Sequence, residues 1–119
     1  MKPEQFIGII KDQIRDAGIN ETIEFIKKPP GRKPRKKHVE LSEWFNSLTD
    51  KDRSNVMKMM EEAVDASLFG LFCTLDGVRS VGEQTFELYV VENGDKKLLN
   101  DQNEEALHDI YNSMTNPID

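Results

Sequence analysis

"DKDRSNVMKMMEEAVDASLFGLFCTLD", residues 50–76, decides how the rest of the chain is read. Its first half is amphipathic, with Val56, Met60, Ala63 and Val64 on one face and Lys51, Lys58, Glu61 and Glu62 elsewhere. The second half, "ASLFGLFCTL", is apolar nearly all round. That pattern predicts a long helix from Asp50 to about Asp76 that neighbours cover on several sides. Thr49, with Asp52 three residues on, has the spacing of an N-cap with an acid in the first turn, and Gly77 supplies the stop.

Outward from this helix, the N-terminal segment repeats Phe6, Ile10, Ile14 and Ala17 at helical spacing behind Pro3, with Gly18 as the expected end. Asn20 then caps a short second helix over Glu21 to Lys27, carrying Ile19, Ile23 and Ile26 on one side; a strand over "TIEFI" is the competing reading. Leu41, Trp44, Phe45 and Leu48 fit another short helix, with Trp44 as a core anchor. Downstream, Phe86, Leu88 and Val90 alternate with Glu87 and Tyr89, and Asn93-Gly94 before "KKLLN" signals a hairpin with a type I′ turn. Asp101 with Glu104 predicts the start of a last helix bearing Leu107, Ile110, Tyr111 and Met114, followed by a frayed tail over 115–119.

The expectation is one α+β domain over residues 1–119. It is mostly helical, with a long central helix packed by three or four shorter helices plus one β-hairpin. At 119 residues the chain can bury one core without staples. Its single cysteine, Cys73, lies in the apolar run, so neither an internal disulfide nor a multi-cysteine metal site can form, and burial would leave the thiol inert. Charges at Glu4, Lys11, Asp12, Arg15 and Asp16 break any signal-peptide core, and no apolar run approaches the roughly 20 residues of a membrane span. A cytoplasmic protein with no membrane contact is expected.

The net charge of −6 conceals an asymmetry. "IKKPPGRKPRKKH", residues 26–38, holds 7 of the 16 basic residues with no acid among them, leaving 9 basic and 22 acidic residues elsewhere. Pro29, Pro30, Gly31 and Pro34 make 27–38 a basic loop of polyproline character. Arg32, Lys33, Arg35, Lys36 and Lys37 are the candidate nucleic-acid contacts, since mobile cations are what phosphates attract. "PGRKPRKK" resembles an AT-hook, although Pro30 stands where that motif has its first arginine and Pro34 comes one place late. The bland alternative is a solvated loop that offsets the acidic body or grips an acidic face, including this protein's own.

A second candidate lies on the long helix. Asp65, Phe69, Phe72 and Asp76 recur at i, i+4, i+7 and i+11 and so share one face. The two carboxylates are about 16 Å apart along the axis, too far for a glycosidase-type dyad. An aromatic pair rimmed by acids is a candidate partner-binding patch; core burial is the alternative. Asp76 opposes its own helix dipole, and Arg79 is the nearest candidate to neutralise it. Glu104 and His108, with Asp65, could supply metal ligands to a hydrolase, but this spacing arises easily by chance, so no metal or other cofactor is expected.

The segments "LSEWFN", "VDASLFG", "LDGVR" and "LHDIYN" resemble a group of small bacterial proteins of unknown function over residues 40–112. The resemblance implies no activity. The leading expectation is a non-enzymatic acidic protein acting through an unknown protein partner, in an accessory or immunity-like role, because acidic surfaces attract basic proteins. Nucleic-acid binding through the loop and a metal-dependent hydrolase are the alternatives.

Overall fold

The computed structural model describes residues 1–79 and 82–117. Its elements are α1 (Pro3–Ile9), a π-helical segment (Ile10–Asp16), α2 (Ala17–Lys27), α3 (Lys36–Ser47), α4 (Asp50–Leu75), strands β1 (Tyr89–Glu92) and β2 (Asp95–Leu98), and α5 (Leu107–Thr115). It is a mostly helical α+β fold built on one long helix and one hairpin. No helix among the described residues is long and apolar enough to cross a membrane.

The first two expected helices are one. Gly18 does not end the run, because glycine terminates a helix where it adopts positive φ, and the backbone stays right-handed helical through Ile10 and Ala17. Asn20 is therefore helix interior. The π segment changes the phase of the apolar stripe. Ile7 is fully buried, whereas Ile14, expected on the core face, is 54% exposed and Arg15 turns inward in its place. α2 keeps the expected burial of Ile19 and Ile23.

α4 runs antiparallel to this long N-terminal helix, its Asp65 meeting Arg15. Thr49 Oγ1 accepts from the Asp52 N–H at 3.2 Å, as expected. Thr49→Ala should therefore cost about 1 kcal/mol, read as a lower urea midpoint at unchanged slope. At the other end, the N–H of Val78 donates to Cys73 O and that of Gly77 to Thr74 O, with Gly77 at φ +79°. This is a Schellman stop that only a residue at ease with positive φ closes cheaply. The hairpin pairs Tyr89 with Leu98 and Glu92 with Asp95 across Asn93 (φ 51°) and Gly94 (φ 84°), a type I′ turn.

Other helix ends are closed from a distance. Ser42 Oγ and Asn46 Nδ2 both donate to Lys27 O, the frayed carbonyl of α2, which docks α3 there. Arg53 on α4 donates to Phe45 O and Asn46 O, capping α3. Asn100 donates to Leu75 O at the end of α4 and to Phe86 O, and accepts from the Leu88 N–H, fastening the hairpin segment to the helix. The contacts to Lys27 O, Asn46 O and Leu75 O satisfy carbonyls that helix ends leave open.

The main core joins Ile7, Phe72, Leu107, Ile110 and Tyr111, with Phe6, Leu68, Leu88 and Met114 against it. Several expectations are corrected around it. Trp44 is 51% exposed, because α3 turns Ser42 and Phe45 inward. α4 is covered on several sides, by α2 and α5 among others, as expected, while Ala63 lies exposed and Val56, Met60 and Val64 are partly covered. α5 begins at Leu107, later than expected, since Asp101 is used in a local turn, accepting from the Asn103 N–H. It extends through Thr115, so the expected tail shortens to Asn116 and Pro117, and 118–119 lie outside the described residues.

Candidate functional site

The four residues at i, i+4, i+7 and i+11 on α4 do share a face, and that face looks into the molecule. Asp65 is held by two hydrogen bonds from Arg15, Nε to Oδ1 at 2.6 Å and Nη2 to Oδ2 at 3.0 Å, and by the Tyr111 hydroxyl at 2.6 Å. The Arg15 and Asp65 side chains are 15% and 17% exposed. Arg15 also reaches Asp16 at 2.7 Å, and Asp16 accepts from Lys11 at 2.9 Å. Lys11, Asp16, Arg15, Asp65 and Tyr111 thus form one alternating chain of charge ending on a phenol.

Burial alone would raise the Asp65 pKa, but hydrogen bonds from Arg15 and Tyr111 outweigh it and hold the carboxyl below its ordinary value. Lys11 and then Arg15 depress Asp16 likewise. Burial, with the bond to Asp65, pushes Tyr111 upward. Asp65 is ionised and already saturated with donors, an arrangement suited to fixing the α1–α2 rod to α4 and α5 rather than to proton transfer.

Asp76 serves a different helix from its own. Its Oδ2 accepts from the His108 N–H at 2.9 Å and lies 2.7 Å from His108 Nδ1. His108 is the second residue of α5, whose N-cap, Ala106, has no side-chain acceptor. A carboxylate that opposes the dipole of α4 is therefore favourably placed at the start of α5. Arg79, expected to neutralise Asp76, instead lays its guanidinium over Gly70, within 3.0 Å of where a β-carbon would stand.

Phe72 is 2% exposed and packs against Tyr111 with ring centres 5.4 Å apart. Phe69 is 36% exposed and meets His108 edge-on at 5.7 Å. As a solvent-facing patch of Asp65, Phe69, Phe72 and Asp76, the expectation is corrected: only Phe69 offers accessible apolar surface. It opens onto a groove of about 180 Å³ between α4 and α5, lined also by Glu62, Asp65, Ala66, Tyr111 and Asn112. That is below the roughly 300 Å³ at which small-molecule sites begin.

The three residues considered as metal ligands are not brought together. Asp65 is engaged by Arg15 and Tyr111, His108 by Asp76, and Glu104 precedes α5, so its helical spacing to His108 is not realised. No group of three or more His, Cys, Asp or Glu among the described residues could hold a metal ion. Cys73 is buried, and burial pushes its thiol up.

The basic loop is shorter than expected. Lys36, Lys37 and His38 form the first turn of α3, so the irregular stretch is 28–35, bent at Gly31 (φ 92°). His38 stacks edge-on against Phe25 at 4.8 Å, anchoring the loop's end. Among the described residues, only two of its cations meet the protein's own acids, each a neighbour on the same helix. Lys27 pairs with Glu24 at 3.4 Å and Lys36 with Glu40 at 3.8 Å, both exposed; Lys28, Arg32, Lys33, Arg35 and Lys37 have no carboxylate within 4.0 Å among the described residues. Comparison of the chain with protein-family models, curated proteins and solved structures returned no match.

Position along the chain could reveal neither role of the acids on α4, since their partners lie 50, 46 and 32 residues away. The one available signal was Asp76 itself, an acid at the wrong end of its helix.

Proposed function

We propose that this protein is non-enzymatic and acts by binding another protein, in an accessory or immunity-like role. One observation carries the reading. The folded chain exposes 8800 Å², whereas a compact monomer of 13.7 kDa exposes roughly 6,600 Å². Its radius of gyration, 18.1 Å, likewise exceeds the roughly 13.5 Å of a compact chain of this length. Part of the excess is apolar, including Trp44, Met59, Leu71 and Val91, each more than half exposed. We read this extended surface as one that a partner covers.

The test is affinity capture of the full chain from its native cells after nuclease treatment, with intact mass and stoichiometry read by native mass spectrometry. A protein retained in fixed ratio is expected. Recovery of no protein in fixed ratio once nucleic acid has been digested would defeat the reading.

A second reading, nucleic-acid binding, is favoured by the five exposed cations that have no carboxylate within 4.0 Å among the described residues. They stand beside the N-terminus of α3, whose cap residue Arg35 offers no side-chain acceptor, and phosphate suits such a place. If all five engage duplex phosphates, affinity should fall on the order of 500-fold between 50 and 200 mM salt. Fluorescence anisotropy with a labelled duplex, using the chain and its R32A/K33A/R35A variant, measures this. Binding that ignores salt, or that survives in the variant, would count decisively against the loop.

A further inference from the structure

One stripe of α4, overlapping the apolar face read from the sequence at Val56, Met60 and Ala63, is left mostly uncovered by the fold. At 100° per residue, Val56, Met59, Met60, Ala63, Ser67, Gly70 and Leu71 fall within a sector about 120° wide, in which the Arg79 guanidinium overlies Gly70. Lys58, Glu61, Glu62 and Asp65 all lie on the other side of the helix by the same count. Met59 is 73% and Leu71 52% exposed. Ser67 spends its hydroxyl on Ala63 O at 2.8 Å, so it asks nothing polar of whatever covers it. The strip is about 22 Å long, with its small residues at the middle and its large ones at the ends.

We infer that this face of α4 is a two-fold interface with a second copy of the chain, the two α4 helices crossing antiparallel around Ala63 and Ser67. The inference deepens the reading that the protein works through protein contacts, and rests on it. Two observations select a second copy as the occupant.

The first is self-complementarity. An antiparallel crossing centred between Ala63 and Ser67 sets Ala63 against Ser67 of the partner subunit and Met59 against Leu71 of the partner subunit. The same pairs recur on the other side of the axis, as an isologous interface requires. Small residues at the crossing let the helices approach, and the long side chains fill the diverging ends.

The second is charge. Residues 21–60 carry ten basic and six acidic side chains, and the rest of the chain carries six basic and sixteen acidic. α2, α3 and the start of α4 pack at one end of a body 50 Å long, while the end of α4 packs with α1 and α5 at the other. Antiparallel pairing lays the basic end of one copy beside the acidic end of the next, twice. A parallel pairing would set like beside like.

Sedimentation velocity on the full chain at about 1 to 100 µM, spanning micromolar affinities, tests this. The expected species has twice the 13.7 kDa chain mass. Ala63→Arg should weaken it at least a hundredfold while far-UV circular dichroism is unchanged, since Ala63 is exposed in the single chain. Gln13→Arg, also exposed but off this face, should leave the dimer intact. As a second handle, M59C/L71C should cross-link the two copies under mild oxidation. A chain that is monomeric at the highest concentration, or a dimer indifferent to Ala63→Arg and uncross-linked in M59C/L71C, overturns the inference. A monomer that still retains a different protein in fixed ratio overturns it too, while leaving the broader interaction reading standing.

Discussion

Asp65→Asn is expected to lower stability by roughly 2–3 kcal/mol at neutral pH, at or just under the range for breaking a buried ion pair, because both side chains keep a little contact with water. For a chain of this size that is a fall of roughly 10 °C in Tm. The amide can still accept from the Tyr111 hydroxyl, so the loss isolates the charge on Arg15, left with Asp16 alone.

The effect should depend on pH in a defined sense. Asp65 and Asp16 both titrate below their ordinary 3.8 in the folded chain. The stability they contribute is therefore complete above that value and is lost as pH falls through the lower, folded-state values. The gap between wild type and Asp65→Asn should narrow as pH falls below 3.8. Tyr111 acts at the other limit: its pKa is raised above the usual 10, so its contribution is present below pH 10 and lost in stronger base. Thermal melts of the two proteins across this range check all three statements. Equal melting temperatures at pH 7, or a gap that does not shrink in acid, would show that the charge chain is not what joins the helices.

Phe72→Ala should cost more, roughly 3–4 kcal/mol, because it opens a cavity among Ile7, Leu107, Ile110 and Tyr111. Phe69→Ala, on the edge of the groove, should cost about 1 kcal/mol, since over a third of that ring already meets solvent. Urea denaturation distinguishes them, and a loss below about 1 kcal/mol for Phe72→Ala would contradict its place in the core. The contrast matters for function. A binding defect in Phe72→Ala reports a damaged fold, whereas the same defect in Phe69→Ala reports a lost contact.

The two aromatics differ only by three positions on one helix, and that shows how far sequence could reach. Spacing placed Asp65, Phe69, Phe72 and Asp76 on a common face, and they share one. Whether the face met water or α5 depended on the crossing of distant elements, which periodicity does not encode. The same holds for Trp44 and Phe45: each has the character of an anchor, and α3 docks through Ser42 to Lys27 O, which turns Phe45 in and Trp44 out.

Features that sequence alone determined depend on a few neighbouring residues. Thr49 with Asp52 opens α4, Gly77 closes it, and Asn93-Gly94 turns the hairpin, because capping and positive φ are local properties of the backbone. Only the tertiary structure decided the phase shift at Ile10–Asp16, the Arg15–Asp65–Tyr111 junction and the capping of α5 by Asp76. In each of these a helix end or a charge is satisfied by a residue dozens of positions away, and that choice is made by packing rather than by pattern.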